Sequence, residues 1–252
     1  MPADAKFPMV REVRYAGVEA GGTTWVVAIA AGDPTRVVER ASFATGDRPD
    51  AVLAQVVAWL AAREFDTLGV ASFGPIDLHR HTSPRYGYIT TTPKPGWRDT
   101  DVLGPLRRGL NLPDHFPLAF DTDVNAPALA EFMAARADGY DLSSCAYVTV
   151  GTGIGVGLVI NGAPLRGMLH GEGGHVSVPR LAGDDGVAGT NGAGVGAYPA
   201  STWACAEAMC NSAALARRAG CSVHELAALP DDHPVGARVA AAALPRGSGM
   251  WS

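Results

Sequence analysis

Four short stretches of this chain combine residue types that could carry group-transfer chemistry. Asp121-Thr122-Asp123-Val124-Asn125 sets two carboxylates and an amide where the apolar run 116–120 gives way to helical spacing over 126–136. A carboxylate at such a point can take a proton from an alcohol docked within hydrogen-bond reach; the same residues equally make an acidic N-cap and turn. Glu19-Ala20-Gly21-Gly22-Thr23-Thr24 and Gly151-Thr152-Gly153-Ile154-Gly155 are glycine tips, where backbone N–H groups can approach a phosphate closely. Each tip alone is as well explained by a plain hairpin turn. The two together, with an aspartate between them in sequence, could close on one polyphosphate, each giving N–H donors and a Thr hydroxyl. Gly171-Glu172-Gly173-Gly174-His175 places a carboxylate three residues before an imidazole, either a ligand-binding pair or a surface pair in a glycine loop.

The elements that must position these residues read as α/β. Residues 13–30 give strand, glycine turn and strand, a hairpin closed by Ala31-Gly32-Asp33-Pro34. A third strand is expected at 35–43 and a helix at 49–64, where Val52, Leu53, Val56, Val57 and Leu60 recur at helical spacing behind Pro49-Asp50. A buried strand follows at 68–73, ending in Gly74-Pro75-Ile76-Asp77; strand, helix, strand argues for an α/β fold. Residues 78–98 read as a long irregular loop, which in a compact domain tends to be a lid or binding loop. A helix at 99–110 and a strand at 116–120 lead into the Asp121–Asn125 stretch. That stretch lies at a strand's carboxyl end and a helix's start, where ligands of open α/β sheets collect and anions are favoured. Residues 146–160 form a second hairpin around Gly151–Gly155, and a helix is expected at 204–219. The first glycine tip is no Walker loop, since no Gly-Lys-Ser/Thr follows it, and no G-x-G-x-x-G opens a helix.

Length and composition bound the function. At 252 residues the chain can hold one large domain or two modest ones. A net charge of −5 gives no general attraction to nucleic acid or an anionic membrane, so neither is an expected partner. No apolar run reaches the ~18 residues of a membrane span. Residues 1–14 are mixed polar and lack the apolar core of a secretory signal, so a cytoplasmic location is expected. Cys145, Cys205, Cys210 and Cys221 do not suggest a disulfide scaffold in a chain of this size.

Taken together, GVEAGGTT, ASFGPIDL, YGYITTTPKPGW, DTDVNAPALAE, VTVGTGIGVGLVINGAPLRG and HGEGGHVSV closely resemble the ROK family of sugar kinases, and most closely its bacterial fructokinase branch. The resemblance covers roughly residues 13–185, in family order and spacing. It implies the actin-like, ribonuclease-H-like ATPase fold: an N-terminal α/β lobe over 13–122, an incomplete C-terminal lobe over 123–240 and an irregular tail over 241–252. It implies phosphorylation of D-fructose at the 6-hydroxyl by ATP with Mg²⁺. Asp123 matches the catalytic base; Gly21, Gly22, Thr23 and Thr24 match the first phosphate loop, and Gly151, Thr152 and Gly153 the second. Thr24 stands where the family usually has Lys, which removes a cation near the phosphates. Gly74, Pro75, Thr122, Glu172 and His175 match positions on the sugar side, and His175 also matches the family's first zinc ligand. The 86–97 stretch resembles the fructokinase-specific loop beside the sugar. Other ROK specificities (glucose, mannose, an N-acetylated hexosamine) and a catalytically impaired sugar-binding remnant are the alternatives. The family is commonly dimeric, so a homodimer is a candidate assembly.

The chain departs from that pattern near residue 186. Related fructokinases resemble H-P-D-D-F followed by C-P-x-H-x-x-C-x-E, which supplies Cys, His and Cys to zinc. Here Asp184-Asp185 and Cys205-Ala206-Glu207 fit the two ends, but GVAGTNGAGVGAYPASTWA between them holds neither Cys nor His. Pro199 and Thr202 stand where the first Cys and the His are expected. A tetrahedral site needs four ligands and only His175 and Cys205 are matched, with Cys210 as a substitute to consider, so zinc is expected to be lost. After about Ala240 the chain runs into ALPRGSGMWS, where relatives continue with a G-G-G segment and adenine-holding helices. The expectation is two frame shifts, near 186–204 and after about Ala240, leaving a truncated or degraded kinase.

Overall fold

The computed structural model describes residues 11–167, 171–179 and 203–228. The tail at 241–252 and most of the altered 186–204 segment lie outside those residues. The chain divides into two compact units, the first ending at Ala126 and the second beginning at Pro127.

The first unit is built on a five-stranded sheet. Its strands are β1 (Arg14–Ala20), β2 (Thr24–Ala31), β3 (Val37–Ala44), β4 (Thr67–Ser72) and, after two short strands, β7 (Leu118–Thr122), in the order β3-β2-β1-β4-β7. The pairs β1–β2 and β2–β3 are antiparallel, whereas β1–β4 and β4–β7 are parallel. Alternation explains the outer antiparallel part: Ala16, Val18 and Ala20 on β1 and Trp25, Val27 and Ile29 on β2 are buried, with more exposed residues between them. β3 is an edge strand and carries Glu39 and Arg40 in its exposed run, which discourages pairing with another chain. Helix α1 (Pro49–Ala61) joins β3 to β4; it starts on Pro49 and buries Val52, Leu53, Val56 and Leu60.

Three expectations for this unit are corrected. The 78–98 stretch is not free loop, because β5 (Tyr88–Ile89) pairs with β6 (Thr100–Asp101) and Ile76 bridges Ile89. The expected helix at 99–110 is only α2 (Leu103–Gly109), since its first residues are taken by β6. The strand expected to stop at Phe120 runs through Asp121 and Thr122, because β4 offers Ala71 and Ser72 as parallel partners.

In the second unit, α3 (Asn125–Ala137, whose first two residues belong to the first unit) covers a three-stranded sheet of order β10-β9-β8. These strands are β8 (Ser144–Val150), β9 (Ile154–Ile160) and β10 (Ala163–Pro164). Ala128 and Phe132 of α3 and Val159 of β9 form its buried centre. A 3₁₀ turn, Gly173–His175, leads to β11 (Ser177–Pro179), which pairs with β12 (Trp203–Cys205). The single helix expected at 204–219 is two, α4 (Ala206–Cys210) and α5 (Ser212–Ala219), followed by α6 (Val223–Ala228). The break falls at Asn211, which is extended and whose side chain accepts the Ala214 N–H at 2.8 Å as the N-cap of α5. No helix among the described residues is long and apolar enough to cross a membrane.

Candidate active site

In the first unit, three strands deliver the sequence-derived residues to one end of the sheet. Ala20 is level with Ser72, and Ser72 with Thr122. The chain therefore leaves β1 into Gly21, β4 into Phe73-Gly74 and β7 into Asp123 at the same height. Phe73 N–H donates to Ala20 O at 2.8 Å and Asp123 N–H to Ser72 O at 2.9 Å, which carries the alignment one residue beyond the strands. With neighbouring strands about 4.8 Å apart, the exits of β1 and β7 lie roughly 10 Å from one another. Such a row of carboxyl ends is where α/β sheets bind ligands.

The turn after β7 divides the labour of its polar residues. Asp121 is 9% exposed; its Oδ1 accepts the Thr122 N–H at 2.8 Å and an Asn125 side-chain N–H at 3.2 Å. Thr122 is buried, and its hydroxyl accepts the Asn125 N–H at 2.9 Å, capping the first turn of α3. Asp123 is half-buried. Asp121 and Asn125 thus hold the backbone from which Asp123 projects.

At the first glycine tip, Gly21 N–H donates to Thr24 O at 3.1 Å, and a Cβ at Gly21 would lie 2.7 Å from that oxygen, so glycine is required there. Gly22, Thr23 and Thr24 are exposed. The carbonyl oxygens of Gly21 and Thr23 both accept from Thr45, the former from the hydroxyl at 2.8 Å and the latter from the N–H at 3.0 Å. Sequence reasoning gave Thr45 no role; a Thr at the end of an edge strand carries no local mark of what it reaches. Beyond β4, Pro75 O accepts both the N–H (2.7 Å) and the hydroxyl (3.0 Å) of Thr90, so Gly74-Pro75 is held to the long loop.

In the second unit, the 151–153 tip is held from two sides. Gly151 N–H donates to Gly153 O at 2.9 Å, and Gly151 O accepts the Ser212 N–H at 2.8 Å. Glu207 Oε2 accepts the Ile154 N–H at 2.9 Å. Glu207 stood in the Cys205-Ala206-Glu207 match without an assigned part. The turn carrying Glu172 and His175 lies against the same tip, since a Cβ at Gly174 would fall 2.0 Å from Ile154 O. Glu172 Oε2 is 3.9 Å from His175 Nε2, while the buried His175 Nδ1 has no hydrogen-bond partner among the described residues. An unpartnered buried donor or acceptor is costly, so this atom is a point of local instability in the turn.

Zinc does not fit the described residues. Ala206 N–H bonds Val176 O at 3.0 Å, which brings Cys205 near the His175 turn, but Cys205 Sγ accepts the Ala208 N–H at 3.4 Å as the cap of α4. Among the described residues, no three His, Cys, Asp or Glu side chains are placed to hold a metal.

The mixed sheet whose parallel strands end in a glycine tip and an aspartate, followed by a second glycine-tipped hairpin, accords with the actin-like, ribonuclease-H-like ATPase fold of sugar kinases, to which the family match and the structural likeness below assign it. Residues 15–231 match the ROK family model, and the chain belongs to the ROK family. It is 41% identical over 164 residues to a putative fructokinase of Bacillus subtilis, covering 65% of this chain and 52% of that one. It is also 41% identical over 168 residues to the fructokinase of Pediococcus pentosaceus, covering 67% and 55%. The chain thus spans about half the length of the curated relatives it matches. Among solved structures, the ROK hexokinase of Thermus thermophilus aligns with a TM-score of 0.58 at 26% identity, covering 93% of this chain and 71% of that one.

Proposed function

We propose that this chain is an ATP-dependent hexose kinase acting on the 6-hydroxyl of D-fructose, with Asp123 as the base. The observation that carries this reading is the level exit of β1, β4 and β7 into Gly21, Phe73-Gly74 and Asp123. It supports a phosphate-facing tip, a sugar-side turn and a carboxylate on one edge. The hydroxyl oxygen attacks the γ-phosphorus, the bond from that phosphorus to the β–γ bridging oxygen breaks, ADP leaves, and the hydroxyl proton passes to Asp123. Phosphoryl transfer depends mainly on alignment and charge stabilisation, so the base works chiefly by orienting the nucleophile. Gly21, Gly22, Thr23, Thr24, Gly151, Thr152 and Gly153 are assigned to the phosphates, and Gly74, Pro75, Thr122, Glu172 and His175 to the sugar. Mg²⁺ arriving with ATP would neutralise phosphate charge, and would ask of the protein one or two carboxylates at most beside the phosphates and water. Fructose is favoured by the likeness to fructokinases, and hexoses such as glucose or mannose are the competing substrates.

An ADP-release assay over fructose, glucose and mannose tests the substrate, and fructose should give the highest kcat/KM. Asp123→Asn should retain hexose binding by calorimetry and lose roughly 10²–10⁴ in kcat, the usual worth of a positioned base. Near-normal turnover in that variant would refute the assignment.

A further inference from the structure

We propose that Thr45 is a positioning residue that presets the first glycine tip for phosphate, and that Gly46 and Trp97 tie this setting to the 86–97 loop. The inference rests on reading Gly21, Gly22 and Thr23 as a phosphate cradle. Thr45 is 1% exposed and sends both of its donors to the tip, its hydroxyl to Gly21 O at 2.8 Å and its N–H to Thr23 O at 3.0 Å. In a planar trans peptide the carbonyl and the following N–H point in opposite directions. Holding Gly21 O toward Thr45 therefore turns the Gly22 N–H away from it, while holding Thr23 O fixes the peptide that leads into β2. N–H groups fixed before the ligand arrives are what make a backbone anion site effective, because no reorganisation is needed on binding.

The next residue carries the tie to the long loop. Gly46 O accepts the Trp97 indole N–H at 3.0 Å. Trp97 is fully buried, its ring 5.5 Å from Trp25 and 5.3 Å from Phe73. Trp25 directly follows the tip, and Phe73 directly precedes Gly74. Gly96 lies so close to the 45–48 turn that a Cβ there would sit 1.9 Å from Asp47 O. One indole thus meets the strand that leaves the tip, the strand that enters Gly74-Pro75 and the turn that holds the tip's carbonyls. A displacement of the loop as hexose docks is passed to Gly46 and Thr45, so sugar and nucleotide binding are coupled, reciprocally.

The test is calorimetry of MgATP and fructose, singly and together, on the full chain and three variants, with the backbone amide resonances of Gly22 and Thr24 recorded alongside. Thr45→Val keeps the β-branched shape and loses the hydroxyl. It should weaken MgATP binding about tenfold, the worth of one lost hydrogen bond in the cradle, and leave fructose binding alone unchanged. Thr45→Ser should restore both the affinity and the amide shifts, a rescue that a role in packing alone would not give. Trp97→Phe keeps a ring and loses the bond to Gly46; it should reduce the factor by which fructose tightens MgATP. The proposal is overturned if Thr45→Val binds MgATP within about twofold of the unaltered chain, if Thr45→Ser does no better than Thr45→Val, or if Trp97→Phe leaves the factor by which fructose tightens MgATP unchanged. If the unaltered chain binds no MgATP, the kinase reading falls, and the amide shifts then decide Thr45's hold on the tip alone: shifts moved by Thr45→Val and restored by Thr45→Ser support it, and unmoved shifts overturn it.

Discussion

Two carboxylates two residues apart do different work at the end of β7. Asp121 is buried and accepts two N–H groups of the turn, whereas Asp123 is half-buried at the strand's exit. Asp121→Ala leaves the Thr122 N–H and the Asn125 amide without that acceptor in a buried setting. It should cost about 1–3 kcal/mol by urea denaturation, and Asp123→Ala much less. Equal losses would remove the distinction. Asp77, below the β4 exit, shows a similar brace. Burial pushes its carboxyl up, but bonds from the Ser83 hydroxyl (2.6 Å) and the His79 N–H (2.9 Å) outweigh this and hold it below its ordinary 3.8. A carboxyl more acidic in the folded than in the unfolded chain stabilises the fold above its unfolded value, and that contribution is lost as pH falls through the folded one. Asp77→Asn should therefore lower stability at neutral pH and flatten the decline below about pH 4, read from denaturation at a series of pH values.

At the scale of elements, the long 78–98 segment is where sequence and structure differ most usefully. It reads as irregular because Pro84, Pro93, Pro95, Gly87 and Gly96 break every period, yet its end supplies one of the largest fully buried side chains, Trp97. Burial of a lone tryptophan behind Pro-Gly depends on partners at Trp25, Gly46 and Phe73, none of them near in sequence, so no local pattern could show it. The hairpin of β1 and β2, helix α1 and strand β4 were legible because alternation and helical spacing are local signals. The ends of β7 and the break at Asn211 were not, since one depends on the register offered by β4 and the other on a side-chain cap. Of the candidate site, Asp123 and both glycine tips could be named from their residues, but Thr45 and Glu207 act on tips far away in sequence. Trp97→Ala should cost about 3–5 kcal/mol, as a large buried aromatic usually does, and denaturation of the variant measures it. A loss below about 1 kcal/mol would mean that the loop is an appendage to the core rather than part of it.

Across the whole molecule, the two units differ in how much each buries for itself. The first encloses Trp25, Val27, Ile29, Leu60, Leu68, Ile89, Trp97 and Leu106 in one continuous cluster. Among the described residues of the second, the sheet rests on Ala128, Phe132 and Val159, and β8 leaves Val148 and Val150 more than half exposed. Local opening is least costly where few apolar side chains must be uncovered. The roles assigned to the units follow the same division: the base and the first phosphate tip stand on the well-packed sheet, and the second tip, Glu172 and His175 on the lightly packed one. A base must be held within a few tenths of an ångström of its reacting geometry, whereas ligand-gripping loops are commonly drawn from the less stable parts of a fold. Amide hydrogen exchange should therefore show β1, β2, β4 and β7 outlasting β8 and β9, with MgATP slowing exchange at 151–155 more than along β4. Equal protection of the two sheets would show that the second unit is as firmly closed as the first, and would detach the division of roles from the packing.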